Sequence, residues 1–180
     1  MSSYSYEERK GIKPISWDYF NQLCKDLCVE ISRFNPDIVL AIARGGLYPG
    51  TLISHILQKE LYPIRITRRV NDLIKYKTPV WLIKPPKIIK DKKILIVDEV
   101  CDSGETLEIV TKSAKDLGAS EIKTAVLYSH TKGKNIPDYI GVVTDELVIN
   151  PWDKEILKDG KFIHHPEYTE ALNQQGKWLC

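Results

Sequence analysis

The chain has 180 residues, 43% hydrophobic and 28% charged, enough for one domain with a full core and an ordinary globular composition. Lys and Arg number 26 against 24 Asp and Glu, so no global basic field marks a nucleic-acid binder, and no run approaches the ~20 apolar residues of a membrane span. Cysteines stand at Cys24, Cys28, Cys101 and Cys180 with no CxxC pair, and the start MSSYSYEERKGIKP carries no hydrophobic leader. A disulfide scaffold is disfavoured, and a reducing, cytoplasmic setting is the expectation.

In chain order, residues 1–14 lack periodicity and read as a surface arm. Ser16 can cap a helix to about Arg33, with Trp17, Phe20, Leu23, Leu27 and Ile31 recurring at helical spacing. Cys24 and Cys28 lie on the same stripe and read as core. After Phe34-Asn35-Pro36-Asp37 comes a short apolar strand, Ile38 to Ala43, followed at once by Arg44-Gly45-Gly46-Leu47-Tyr48-Pro49-Gly50. Glycines after a buried strand let the backbone approach a ligand and expose its N–H groups, and the arginine adds a forked cation for phosphate oxygens. This turn is an anion site by its chemistry. A helix to about Lys59 and a strand from Leu61 to Thr67 complete a strand–helix–strand unit of a parallel sheet.

Val70 to Lys93 mixes lysines, three prolines and apolar residues, and a segment this long between strands reads as a functional lid. Lys75, Tyr76 and Lys77 are candidates for its tip. Arg68 and Arg69, at its root, are either anion-binding cations or a solvated basic strand end.

The most informative stretch is Ile94 to Leu107, ILIVDEVCDSGETL. Ile94 to Val97 has the content of a strand buried on both faces. It runs into Asp98 and Glu99, then the polar turn Asp102-Ser103-Gly104-Glu105-Thr106, then a helix from about Leu107 to Leu117 with Gly118 as cap. A strand end, a glycine turn and a helix N-terminus make a phosphate cradle. Acids beside it fit a ligand that also brings hydroxyls and a divalent cation. The alternative is a plain strand-to-helix turn in which Ser and Thr cap the helix. Further strands are expected at Ile122 to Tyr128, Tyr139 to Thr144 and Leu147 to Ile149. The tail from Lys154 is helix-compatible, and its His164-His165 pair reads as surface, with no acid or cysteine at ligand spacing. No linker or repeat divides the chain. It reads as a single domain over 1–180, with a core at about 15–150 and a small hood at about 151–180 joined by the N-terminal arm.

ILIVDEVCDSGETL resembles the signature of type I phosphoribosyltransferases, and ARGGLYPG resembles the pyrophosphate loop of their purine members, most like the xanthine-guanine enzymes of bacteria and their archaeal relatives. The resemblance implies an α/β fold: an open parallel sheet flanked by helices, with a small C-terminal hood and a flexible lid. It also implies phosphoribosyl pyrophosphate (PRPP) as ligand, and Mg²⁺ as cofactor at Asp98 and Glu99. These two acids would hold the ribose hydroxyls, directly or through the metal. Asp102, Ser103, Gly104, Glu105 and Thr106 would hold the 5′-phosphate. Arg44, Gly45 and Gly46, with Arg68 and Arg69, would hold the pyrophosphate. Asp102 and Arg44 take the catalytic roles by the same resemblance, Asp102 handling a proton at the purine N7. It further implies a cis peptide between Ala43 and Arg44.

For the base, the family's lysine position falls on His130, with Lys132 and Lys134 nearby. A neutral histidine can donate one hydrogen bond there. The stacking position falls on Leu147, and Val148, Trp152 and Asp153 complete the base set. The activity implied is transfer of phosphoribose from PRPP to a 6-oxopurine, giving a nucleoside monophosphate and pyrophosphate in purine salvage. His130 and Leu147 keep adenine open as the base. A sensor of the same fold without chemistry, and an orotate or uracil enzyme, are further alternatives. Partners are small molecules, with no nucleic acid or membrane, and a homodimer or homotetramer is expected.

Overall fold

The computed structural model describes Arg9 and residues 11–70 and 73–174. In chain order the first elements are β1 (Ile12–Pro14), α1 (Trp17–Ile31), β2 (Ile38–Ile42), α2 (Leu47–Leu57) and β3 (Glu60–Thr67). Next come β4 (Arg69–Val70), β5 (Leu73–Ile74), β6 (Val80–Ile83), β7 (Lys93–Cys101), α3 (Glu105–Asp116), β8 (Glu121–Ser129) and β9 (Tyr139–Val143). The last are β10 (Leu147–Ile149), β11 (Glu155–Lys158), β12 (Lys161–His164) and α4 (Pro166–Gln174). The chain forms two compact units, one over Asn21–Thr144 and one of the residues up to Phe20 with those from Asp145.

The first unit is built on a six-stranded sheet of order β6-β3-β2-β7-β8-β9, parallel throughout except for β6. Its centre is explained by composition. Every residue of β2 is buried, and Ile94 to Val97 of β7 are each 0% exposed, as continuous aliphatic runs require when both faces are covered. Each such side chain contributes about 1.5–3 kcal/mol by leaving water. The chain passes from β2 through α2 to β3 on one side, and later enters β7 on the other. Strand order therefore reverses between β2 and β7, whose register pairs Ile38 with Ile94 and Ala41 with Val97. Helix α2 fits closely over β2 because residue 50 is glycine: a Cβ there would stand 2.5 Å from that of Ala41.

Several expectations are corrected. Strand β7 does not end at Val97 but continues to Cys101, pairing Val100 with Tyr128 and Cys101 with Ser129, so Asp98 and Glu99 stand on the strand itself. Helix α3 starts at Glu105, ahead of Leu107. The segment read as one lid divides into a small hairpin, β4 with β5, and the antiparallel edge strand β6. Trp17, the first of the apolar positions at helical spacing, is 54% exposed.

In the second unit, part of the expected arm is ordered: Ile12 to Pro14 pair in parallel with Leu147 to Ile149. The tail begins as an antiparallel hairpin, β11 with β12, before α4. Its turn is Asp159-Gly160, both at positive φ (50° and 75°), the Asp-Gly pair that a tight hairpin turn favours. Trp17, Phe20 and Trp152 form an aromatic cluster with centroids 5.1–6.0 Å apart. Ser16 caps α1 as expected, its Oγ accepting the Tyr19 N–H at 3.1 Å.

Candidate active site

The ends of β2 and β7 lie side by side at the point of strand-order reversal, where open α/β sheets place their ligands. After β2 the chain turns through Ala43 to Gly46, with the Ala43–Arg44 peptide cis. The Leu47 N–H donates to the Arg44 carbonyl at 3.0 Å and the Tyr48 N–H to that of Gly45 at 3.3 Å, which starts α2. Both glycines are required by what adjoins them. A Cβ at 46 would stand 2.6 Å from the Ile42 carbonyl oxygen, 2.8 Å from that of Val97 and 2.9 Å from the Asp98 Cα. A Cβ at 45 would fall on the Glu99 carboxylate. Arg44 itself is exposed.

Asp98 is half-buried, and one carboxylate oxygen accepts the Glu99 N–H at 2.8 Å. Burial pushes its pKa up to about 7, against the smaller downward pull of that hydrogen bond. Such a group is most comfortable protonated, or with hydroxyl donors or a cation beside it.

Beyond Cys101 the turn of residues 102–106 is shaped by Gly104, at φ +83°. Gly104 is also the N-cap of α3 and has no side chain to cap it with; the Ser103 Oγ is 3.5 Å from the Glu105 N–H. Ser103 is thus a weak cap on the first N–H of α3, while Thr106 stands inside the helix. Asp102 and Ser103 are exposed, and Glu105 and Thr106 half-buried.

Sequence reasoning missed the support under this turn, the loop of residues 130–138. A Cβ at Gly133 would fall on the Asp102 carbonyl oxygen, and Ile136 Cδ1 stands 2.7 Å from the place a Cβ at 104 would take. The Cys101 S–H donates to the Gly133 carbonyl at 3.6 Å, and the His130 N–H to that of Cys101 at 3.0 Å. Gly133, Asn135, Pro137 and Asp138 mark Ser129 to Asp138 as a loop in the sequence, but nothing there names the turn it supports.

A cleft of about 190 Å³ opens here, lined by Ile42 and Ala43 at the end of β2, Ile66 and Thr67 at the end of β3, Arg68 and Arg69 just beyond it, Pro79, Asp98 and Thr106. It brings Arg68 and Arg69 to the same opening as Asp98 and Thr106. The Thr67 Oγ accepts the Arg69 N–H at 3.0 Å, and the Arg68 carbonyl accepts from Lys75 at 2.9 Å and Tyr76 at 3.0 Å. Lys75 and Tyr76 are thus tied to the root of the β4–β5 hairpin rather than placed at its tip. Thr67 and Pro79 were not anticipated.

His130 is 4% exposed, and its Nδ1 donates to the Thr144 carbonyl at 2.7 Å. In the neutral ring that is the single N–H, so the donor foreseen for a base oxygen is engaged by the backbone. In the second unit, Leu147 is 4% exposed and packs with Ile149, Ala171, Ile12 and Tyr168, so its side chain belongs to that unit's core, contrary to its expected role as a stacking surface. Val148, on the other face of β10 by strand alternation, is half-buried, as are Trp152 and Asp153. His164 is exposed and the His165 ring lies 5.2 Å from that of Tyr168. Among the described residues no three His, Cys, Asp or Glu side chains converge on a metal position.

A mostly parallel open sheet with two glycine turns at its reversal point, one beside an arginine and one beside paired acids, defines an α/β protein whose candidate site lies at the ends of β2 and β7. The phosphoribosyl transferase domain matches residues 16–158, and the chain belongs to that family. It is 30% identical over 156 residues to a xanthine-guanine phosphoribosyltransferase of Cereibacter sphaeroides, covering 77% of this chain and 85% of that one. A hypoxanthine-guanine phosphoribosyltransferase of Saccharomyces cerevisiae is 28% identical over 127 residues, with 61% of this chain and 58% of that one covered. Among solved structures, a purine phosphoribosyltransferase from Pyrococcus horikoshii matches with a TM-score of 0.71 and 34% identity, covering 78% of this chain and 93% of that one. The match over residues 16–158 runs through both compact units.

Proposed function

We infer that the protein is a 6-oxopurine phosphoribosyltransferase, joining guanine, hypoxanthine or xanthine to PRPP with release of pyrophosphate. The observation that carries this is the adjacency of the Arg44–Gly46 turn and the Asp98–Thr106 segment at the β2/β7 reversal, beside a cleft shared with Arg68 and Arg69. PRPP needs two anion sites separated by a sugar, and the first unit offers two glycine turns with carboxylates at the junction.

The reaction breaks the bond from ribose C1′ to a pyrophosphate oxygen and forms one from C1′ to N9 of the base. In this reading Arg44, Arg68 and Arg69 draw the diphosphate and stabilise the charge it gains on leaving. The amides at the start of α3 and the hydroxyls of Ser103 and Thr106 hold the 5′-phosphate. The exposed Asp102 carboxylate takes up the proton that the base loses from N7. The residues present also suit Mg²⁺. Asp98 and Glu99 are hard oxygen donors, and Asp98's burial favours a partner cation. The want of a third converging ligand among the described residues fits an ion completed by substrate oxygens. Bound there, magnesium supplies charge neutralisation to the diphosphate.

The thiols of Cys24, Cys28 and Cys101 are buried and unbridged, which suits a reducing, cytoplasmic compartment. Association into a dimer or tetramer is part of the same proposal and is read by sedimentation. The test of function is a panel of free bases with PRPP and Mg²⁺, following pyrophosphate release. Turnover is expected with at least one 6-oxopurine; turnover with adenine alone overturns the base assignment, and no release with any base overturns the enzyme.

A further inference from the structure

We propose that the peptide joining Arg68 to Arg69 is a fixed mount for the cleft's arginine pair, and that Thr67, whose hydroxyl fixes it, is a positioning residue for the diphosphate. The inference rests on the phosphoribosyltransferase reading, in which the pair draws the diphosphate, and deepens it. The peptide is held on both edges. Its N–H donates to the Thr67 Oγ1 at 3.0 Å, and its carbonyl accepts the N–H groups of Lys75 at 2.9 Å and Tyr76 at 3.0 Å. Because a peptide is planar, rotating this one would change ψ of Arg68 and φ of Arg69 together and re-aim both side chains. Pinned on both edges, it cannot rotate without breaking these bonds.

The local topology shows why pins are needed. The ladder of β3 with β6 reaches Thr67 opposite Val80, and that of β4 with β5 begins at Arg69 opposite Ile74. Between them stand Arg68 alone on one side and Lys75 to Pro79 on the other, a large bulge in what would otherwise be one hairpin. Bulges leave residues out of the ladder, bend the strand and re-aim a side chain, and they gather beside active sites. Arg68 lies in the bend and is exposed, and it lines the cleft with Thr67 and Arg69. Threonine suits the task by type. Its hydroxyl can take the N–H two residues on, and its β-branched side chain is restricted at χ1. A mount set before the ligand arrives removes an ordering cost from binding the diphosphate.

The experiment is calorimetric titration, with Mg²⁺ present, of inorganic pyrophosphate and separately of the nucleoside monophosphate formed in the base panel, which has no diphosphate. Thr67→Val, nearly isosteric but without the acceptor, should weaken pyrophosphate binding about three- to tenfold and leave the monophosphate unchanged. Thr67→Ser keeps the acceptor and should bind pyrophosphate as wild type does. Adding Thr67→Val to the double variant Arg68→Ala/Arg69→Ala, in which Arg44 and magnesium still serve pyrophosphate, should change nothing further, because the mount then carries no charge. Wild-type pyrophosphate affinity in Thr67→Val overturns the proposal. So does an equal weakening of both ligands, which marks general damage to the fold, and so does an undiminished effect in the alanine background, which marks direct contact between hydroxyl and ligand. Each of these leaves the phosphoribosyltransferase reading standing. Wild type that binds no pyrophosphate also overturns the proposal, and the base panel then decides whether that reading falls with it.

Discussion

The carboxylate of Glu99 occupies the space that a side chain on residue 45 would need. The turn after β2 and the end of strand β7 are thereby interlocked, the turn by lacking a side chain and the strand by supplying one. Gly46 is interlocked differently, against backbone atoms of Ile42, Val97 and Asp98.

The two glycines should therefore fail differently. Gly45→Ala meets the end of a flexible side chain, which can move aside, so folding stability should fall by about 1 kcal/mol or less while the KM for PRPP rises. Gly46→Ala meets strand backbone that cannot yield and should lose about 2–3 kcal/mol or more. Thermal melts beside PRPP saturation curves check the contrast. Equal melting temperatures for the two variants would contradict it.

Asp98 gives a pH signature. Its carboxyl holds the proton more tightly in the fold, with a pKa of about 7 set chiefly by burial, than at its ordinary value of 3.8. Ionisation then weakens the fold: there is no cost below the ordinary range, and the full cost is reached above about pH 7. In ligand-free protein, Asp98→Asn, which keeps the acceptor for the Glu99 N–H, should raise stability at pH 8 by roughly 1–3 kcal/mol and leave it little changed at pH 4. The same variant should lose PRPP affinity. Denaturant melts at the two pH values decide it, and a variant no more stable at pH 8 would refute the effect.

Asp138 should act with the opposite sign. It closes the loop under the Asp102–Thr106 turn, accepting the Thr124 N–H at 2.8 Å and hydroxyl at 2.9 Å and lying 2.8 Å from Lys123 Nζ. Burial raises its pKa, but the Lys123 and Thr124 bonds outweigh that, and the net shift is downward. Its stabilisation is present above the ordinary carboxylate range and lost as pH falls through the lowered value. Asp138→Ala should cost about 1–2 kcal/mol at neutral pH, mostly through the Thr124 bonds, because the Lys123 pair is half-exposed and screened. The loss should shrink as pH falls through that lowered value, as chemical denaturation across pH would show.

Asp102→Asn is expected to lower kcat far more than it weakens nucleotide binding, because the amide cannot take up a proton. Gly133→Ala, whose Cβ would fall on the Asp102 carbonyl oxygen, should lower kcat in the same direction by displacing Asp102. Arg44→Ala should instead raise the KM for PRPP. Steady-state kinetics separate these outcomes, and wild-type turnover in Asp102→Asn would remove it from proton transfer.

The sequence by itself determined the centre of the sheet and which stretches flank the candidate site. Aliphatic runs at Ile38 to Ile42 and Ile94 to Val97 can be stable only when covered on both faces, and the glycine and acid patterns that follow them are local signals of a turn and an anion site. Local signals also misled where tertiary partners overrode them. Strand β7 continues through Asp98 to Cys101 because β8 offers hydrogen bonds to Val100 and Cys101. Ile12 to Pro14 are a strand only because β10 lies beside them. The Asp159-Gly160 hairpin signal was legible and went unread. What only the tertiary structure decided is which side chains share space: Glu99 on Gly45, Gly133 under Asp102, His130 on the Thr144 carbonyl, and Leu147 in a core. Such contacts join residues far apart in the chain, and whether a buried group becomes packing or a ligand contact depends on partners that no local pattern names.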